Sequence, residues 1–132
     1  MHQFKVEKGF LVTKLYLPYK NQNKFEPLPV ILDTGALVTV IDPSFTDFLG
    51  YSIKDAFSLS NLDGAAGVSK GYSINFKNVK CFNHDLQNIV IACHDLNSKL
   101  GIKGLLGMNI LNHFRIDLAY NTGEVFAINK IH

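Results

Sequence analysis

The side chain best placed to do chemistry in this sequence is Asp33. It comes directly after the apolar run Val30-Ile31-Leu32 and opens Asp33-Thr34-Gly35-Ala36, so a buried strand delivers a carboxylate onto a turn whose glycine lets other backbone come close. A carboxylate in apolar surroundings is costly unless its oxygens are hydrogen-bonded or it carries protons in a reaction. Taken by itself the tripeptide can equally be an Asx-type turn. Context adds to it: further along the chain stand a glycine-rich stretch, Asp63-Gly64-Ala65-Ala66-Gly67-Val68-Ser69-Lys70-Gly71, and then Gly104-Leu105-Leu106-Gly107-Met108-Asn109-Ile110-Leu111.

Three other constellations point to chemistry and fail on their surroundings. Gly67-Val68-Ser69-Lys70-Gly71 has the pattern of a nucleophile elbow, which needs a strand before the serine and a helix after it. Its C-terminal neighbour is instead Tyr72-Ser73-Ile74-Asn75-Phe76, alternating with the period of a strand. Cys81, His84, Cys93 and His94 are zinc-type ligands, but a structural site pairs two short-spaced knuckles, and Cys93 and His94 on a strand point to opposite faces. No metal site is expected; these residues read as small buried thiols, unpaired rather than bridged, and surface histidines. Gly101-x-x-Gly104-x-x-Gly107 has the wrong spacing for a dinucleotide loop and leads into no long helix with an acidic residue.

The elements that must position Asp33 are mostly strands. Phe10 to Leu17 is β-branched and aromatic and ends at Pro18, and the polar run Lys20 to Glu26 predicts a hairpin connection. Val30-Ile31-Leu32 predicts a short buried strand, and Val38-Thr39-Val40-Ile41 resumes as strand beyond the Asp33 turn. Asp42-Pro43 predicts a helix start, with Asp42 as N-cap, and Gly50 its stop about two turns later. Ser58-Leu59-Ser60 and Tyr72 to Phe76 predict strands flanking the glycine-rich stretch as a long hairpin. Asn88 to Cys93 predicts a strand buried on both faces, and Met108 to His113 is helix-compatible. Phe114 to Leu118 and Glu124 to Ile128 predict a last hairpin around Asn121-Thr122-Gly123. The fold class expected is mainly β with one or two short helices.

Bulk composition narrows the function. At 132 residues a single domain is expected, spanning 1–132, with enough chain for a core of its own but not for an enzyme that needs two lobes. Hydrophobic residues make up 47% and charged residues 18%, which excludes disorder, coiled coil and collagen. Thirteen basic residues against eleven acidic ones give a formal charge of +2, and they are scattered, so no nucleic-acid partner is expected. The apolar runs are too short for a membrane span and the first residues lack the apolar core of a secretion signal. A soluble, cytoplasmic chain with no membrane partner is the expectation.

Taken together, Ile31-Leu32-Asp33-Thr34-Gly35-Ala36, the glycine-rich hairpin around Gly64 to Gly71, Leu105-Leu106-Gly107 and the strand pair from Phe114 to Ile128 resemble the retropepsin-like aspartic proteases. The resemblance runs over roughly residues 10 to 128 and implies a half-barrel with a flap hairpin. It implies further that Asp33 is catalytic and meets Asp33 of a second copy across a two-fold axis, because one chain supplies one Asp-Thr-Gly.

The remaining roles also come from the resemblance. Thr34 would hydrogen-bond across the two-fold axis, Gly35 would bring its N–H to a carboxylate oxygen, and Gly107 would pack behind the loop without a side chain. Ala36 stands where pepsin-like lobes carry a hydroxyl, which points to an optimum from mildly acidic to near neutral. Gly64, Ala65, Ala66, Gly67 and Val68 would form the flap over an extended peptide, with Leu105, Val30 and Val38 lining apolar pockets. The implied activity is homodimeric aspartic endopeptidase on peptide or protein substrates, with no cofactor. The alternative is a catalytically weak member of the same fold used for dimerisation or peptide binding.

Overall fold

The structure, a computed structural model, describes residues 2–3, 5–7, 10–64, 67–96 and 101–129, with side chains for 10–59, 71–96 and 101–128. Along β3 (Phe10–Pro18) Thr13, Leu15 and Leu17 are buried while Lys14 and Tyr16 are exposed. This is the two-residue period of a strand with one face on a core. It pairs antiparallel with β4 (Phe25–Leu32), from Val12 opposite Ile31 to Pro18 opposite Phe25. β4 is longer than the three residues, Val30 to Leu32, expected from the sequence, and runs through Pro27 and Pro29. Both prolines lie exposed along it, and among the described residues β4 has no partner on its other side before Ile31, an edge position that tolerates proline.

An eight-stranded sheet runs in the order β2 (Lys5–Glu7), β3, β4, β9 (Gly104–Leu106), β5 (Val40–Ile41), β8 (His84–Cys93), β7 (Gly67–Cys81), β6 (Ser58–Gly64). It turns back on itself where β3 also pairs with β7, Leu15 opposite Cys81. A three-stranded sheet joins β1 (His2–Gln3), β11 (Glu124–Asn129) and β10 (Phe114–Ala119). Two short α-helices, α1 (Pro43–Phe48) and α2 (Met108–Leu111), and one 3-10 turn, Ile53–Asp55, lie among the described residues. Among the described residues no helix is long and apolar enough to cross a membrane.

Between the sheets sits a core in which Leu15, Leu17, Ile41, Ile91, Cys93, Leu106, Ile110 and Val125 have no measurable exposure. Each such aliphatic side chain contributes roughly 1.5–3 kcal/mol relative to an exposed position. Cys81 and Cys93 are buried, unbridged thiols. Burial pushes Cys81 up to about 12 and Cys93 up to about 11, so both stay protonated.

The helix start at Asp42-Pro43 is as expected. The Asp42 side chain accepts a 2.9 Å hydrogen bond from Ser44 N–H, and Gly50 takes φ +100° just past the helix.

Three local expectations need correction. The glycine-rich stretch is mostly strand: β6 and β7 pair from Ser58 opposite Ser73 to Gly64 opposite Gly67. The expected tip residues Ala65 and Ala66 lie outside the described residues. His94 is not a surface histidine but 1% exposed: it directly follows β8, and its N–H donates to Ile41 O of β5 at 3.1 Å. Finally, β5 is two residues long rather than four, because Thr39 turns its N–H to a side chain, Asn109, at 2.8 Å instead of to a neighbouring strand.

Candidate active site

β4 and β5 run into and out of the Asp33 turn, yet they are not neighbours. The three residues of β9 lie between them, parallel to β4 through Ile31 opposite Leu105 and antiparallel to β5 through Val40 opposite Leu105. The connection 33–39 must therefore pass over the end of β9. At the crossing stands Gly107, where an added Cβ would lie 2.6–2.8 Å from the backbone of Val38 and Thr39. Its φ of −97° is open to any residue; the position demands space.

This crossing loop is held at both ends and at Ala36 and Leu37. Asp33 N–H donates to Leu106 O at 3.0 Å, Met108 N–H to Ala36 O at 2.8 Å and Asn109 N–H to Leu37 O at 3.1 Å. The first amides of α2, which have no partner inside the helix, thus satisfy loop carbonyls. Buried Thr39 accepts the Gly107 N–H on its hydroxyl at 3.0 Å and donates that hydroxyl to Asn109 Oδ1 at 2.8 Å. Asn109 Nδ2 reaches across to Val90 O on β8 at 2.7 Å.

On this support Asp33 is half-buried, and its Oδ1 accepts the Gly35 N–H at 2.9 Å. A Cβ at Gly35 would stand 3.2 Å from that oxygen. Thr34 and Gly35 face outward and Ala36 is half-buried, its carbonyl held by Met108. Leu37 is 81% exposed and Val38 is exposed beside it. Leu105 is half-buried, whereas Leu106 is fully buried. Val30, expected in a pocket, is 1% exposed: it fills the space beside Gly104, where an added Cβ would lie 2.7 Å from Val30 Cγ1. It belongs to the core. Gly64, Gly67 and Val68 fall on the hairpin strands β6 and β7. Thr39 and Asn109 carry no signal in the sequence; no motif marks a threonine and an asparagine that meet across 70 residues.

Two ionisable groups near the end of β5 are shifted. Burial works to raise the Asp42 carboxyl, but the Ser44 and Leu96 N–H groups and the charge of Lys103 outweigh it and hold the group below its usual range. Burial lowers the His94 imidazole, favouring the neutral ring. Among the described residues no cluster of histidine, cysteine and carboxylate side chains could hold a metal ion.

Residues 21–113 match the family described as gag-polyprotein putative aspartyl protease, a span that contains the whole crossing loop, β9 and α2. The chain belongs to this family. Solved structures agree on the fold. A retropepsin-like aspartic protease from Rickettsia conorii superposes with a TM-score of 0.62 at 23% identity, over 84% of this chain and 87% of that one. The EIAV protease in complex with an inhibitor gives 0.56 at 20% identity, over 80% and 88%. The retroviral protease-like domain of Ddi1 from Leishmania major gives 0.53 at 13%, over 89% and 92%. No curated protein matches the sequence. The retropepsin-like aspartic protease fold accounts for the inserted β9, which lets one loop cross another strand's end and carry Asp33 at the crossing.

Proposed function

We propose that this chain is a single-domain aspartic endopeptidase that works as a homodimer, each copy contributing one Asp33. The observation that carries the reading is a carboxylate held by Gly35 N–H on a loop fastened from β9, α2 and β8, with Thr34 facing outward, in a member of an aspartyl protease family. Exposed Phe126 and Ile128 on β11 and Tyr120 just before it supply apolar surface for a second copy.

Two such carboxylates within about 3 Å cannot both ionise, so the pair holds one proton and titrates as a unit. The charged member takes a proton from a water as that water attacks the scissile carbonyl. The protonated member donates to the carbonyl oxygen, and the roles exchange as the amine leaves. Thr34 bridges to the partner loop. The β6–β7 hairpin covers an extended peptide through main-chain hydrogen bonds, and Leu37, Val38 and Leu105 favour apolar residues beside the cleaved bond. Ala36 offers the dyad a methyl rather than a hydroxyl donor, so the optimum lies from mildly acidic to near neutral.

The test is cleavage of a peptide library by wild type and Asp33→Asn. The substitution should abolish cleavage while leaving the mass of the dimer unchanged, and wild-type specific activity should fall on dilution as the shared site separates. A wild type that cleaves nothing across roughly pH 3 to 8 would overturn the enzymatic reading; bound but uncut peptide would make the chain a binding module.

A further inference from the structure

No disulfide fixes the Asp33 loop, so its position is set by the noncovalent bonds made to it. More of those bonds converge on Asn109 than on any other described side chain of the site. Its Oδ1 accepts both the N–H and the hydroxyl of Thr39, each at 2.8 Å, and its Nδ2 donates to Val90 O at 2.7 Å. Its backbone N–H donates to Leu37 O at 3.1 Å. The orientation of the amide is set by donor and acceptor count. Thr39 N–H can only donate and Val90 O can only accept, which sets Oδ1 toward Thr39 and Nδ2 toward Val90; the Thr39 hydroxyl, accepting from Gly107 N–H, then donates its proton to Oδ1. Turning the amide over would set an NH2 group against the Thr39 N–H and an oxygen against the Val90 carbonyl. One side chain thus joins the returning end of the Asp33 loop to α2 and to β8 in one geometry.

We propose that Asn109 is the positioning residue of the site: through Thr39 and Leu37 it sets where the loop 33–39, and with it the Asp33 carboxylate, stands. Its effect on cleavage presupposes the reading of Asp33 given above; its effect on the loop does not. The assignment of donors makes the role testable by a nearly isosteric change. In Asn109→Asp, one carboxyl oxygen keeps both Thr39 bonds. The other replaces a donor with an acceptor facing Val90 O, where protonation alone restores the bond. The variant should therefore hold the loop correctly at acid pH and lose it as the introduced carboxyl ionises. Of the groups packed on Asn109, Thr39 and the Val90 carbonyl do not titrate and Asp33 is the charged group of the loop. β10, packed behind α2, has Arg115 and Asp117 in solvent.

The experiment has two readouts. Peptide cleavage by Asn109→Asp should match wild type at low pH and fall about 10- to 100-fold in kcat as pH rises, with KM little changed. The NMR signal of the Gly35 amide, which reports the contact with Asp33, should show in Asn109→Asp a pH-dependent step that is absent from the wild-type profile. Thr39→Ser should behave as wild type in both, and Thr39→Val, which leaves Gly107 N–H without its acceptor, should displace the Gly35 signal at every pH. This Thr39 pair decides the matter if Asn109→Asp does not fold. A Gly35 signal that tracks wild type in Asn109→Asp and Thr39→Val, or a kcat profile unchanged by Asn109→Asp, would overturn the role. An additional Gly35 titration in a protein whose wild type cleaves nothing would uphold the positioning role and overturn the proposed enzyme.

Discussion

The Asp33 loop and the β6–β7 hairpin are built on opposite plans. The loop 33–39 makes almost no regular structure, yet its two ends and its Ala36 and Leu37 carbonyls are matched by β9, α2, β8 or a side chain. The hairpin is regular over its described length, with seven pairs from Ser58–Ser73 to Gly64–Gly67. Yet β7 leaves β8 after Tyr72 opposite Cys93, and beyond that point the only described partner of each arm is the other. An isolated two-strand ribbon is marginally stable, whereas a loop bonded from three elements is bistable or fixed but not soft. The endopeptidase proposed above would need both, a carboxylate held still and a cover that admits and releases a long peptide.

The root of the hairpin carries the corresponding detail. At Gly71 an added Cβ would fall against the His94 ring and 2.5 Å from Cys93 O. The missing side chain lets a buried imidazole seat the last hairpin residue before β7 joins β8.

The contrast can be broken at either end. The largest effect is expected from Gly107→Ala, since its Cβ would meet backbone, not a side chain that can turn away. We expect a loss of about 1–3 kcal/mol in denaturant unfolding and a fall in kcat on the order of 100-fold as the loop moves. Near-wild-type kcat would show that the loop tolerates displacement. Gly71→Ala should cost similar stability at the hairpin root but act mainly on KM, since Asp33 stays in place; a pure kcat effect would join the two regions that the structure separates.

The smallest effect is an acid limb in the melting temperature. Burial depresses His94 from its ordinary value of 6.5, so the unfolded chain binds the proton more readily and stability declines as pH falls below that value. Asp42, also depressed, withdraws its contribution below its ordinary value of 3.8. His94→Gln should flatten the upper part of this limb and Asp42→Asn the lower part.

Legibility in the sequence tracks the range of the interactions. The helix at Asp42-Pro43 and its stop at Gly50 can be read because a cap bonds within three residues. The final hairpin can be read because Gly123, φ +71°, ends a turn between two alternating runs. The Phe82-Asn83 turn cannot: both residues take left-handed backbone, φ +52° and +60°, without the glycine that usually announces it. Its support comes from elsewhere, Phe82 packing edge-on against Phe114 at 5.3 Å. The burial of His94 is illegible for the same reason, since nothing local says that β5 and β7 will cover it.

What the sequence determined by itself was the candidate for the reacting group of the proposed protease and the motif context around it: Asp-Thr-Gly after a buried strand, with Leu105-Leu106-Gly107 further along. These are local chemical requirements, met by residue type. The tertiary structure alone decided how that carboxylate is held. A three-residue strand slips between β4 and β5, a glycine lets the loop cross it, and Thr39 and Asn109 meet from 70 residues apart. Such bonds leave no periodicity and no motif, because hydrogen-bond partners are chosen by which backbone the packed core brings within about 3 Å, and only the folded chain makes that choice.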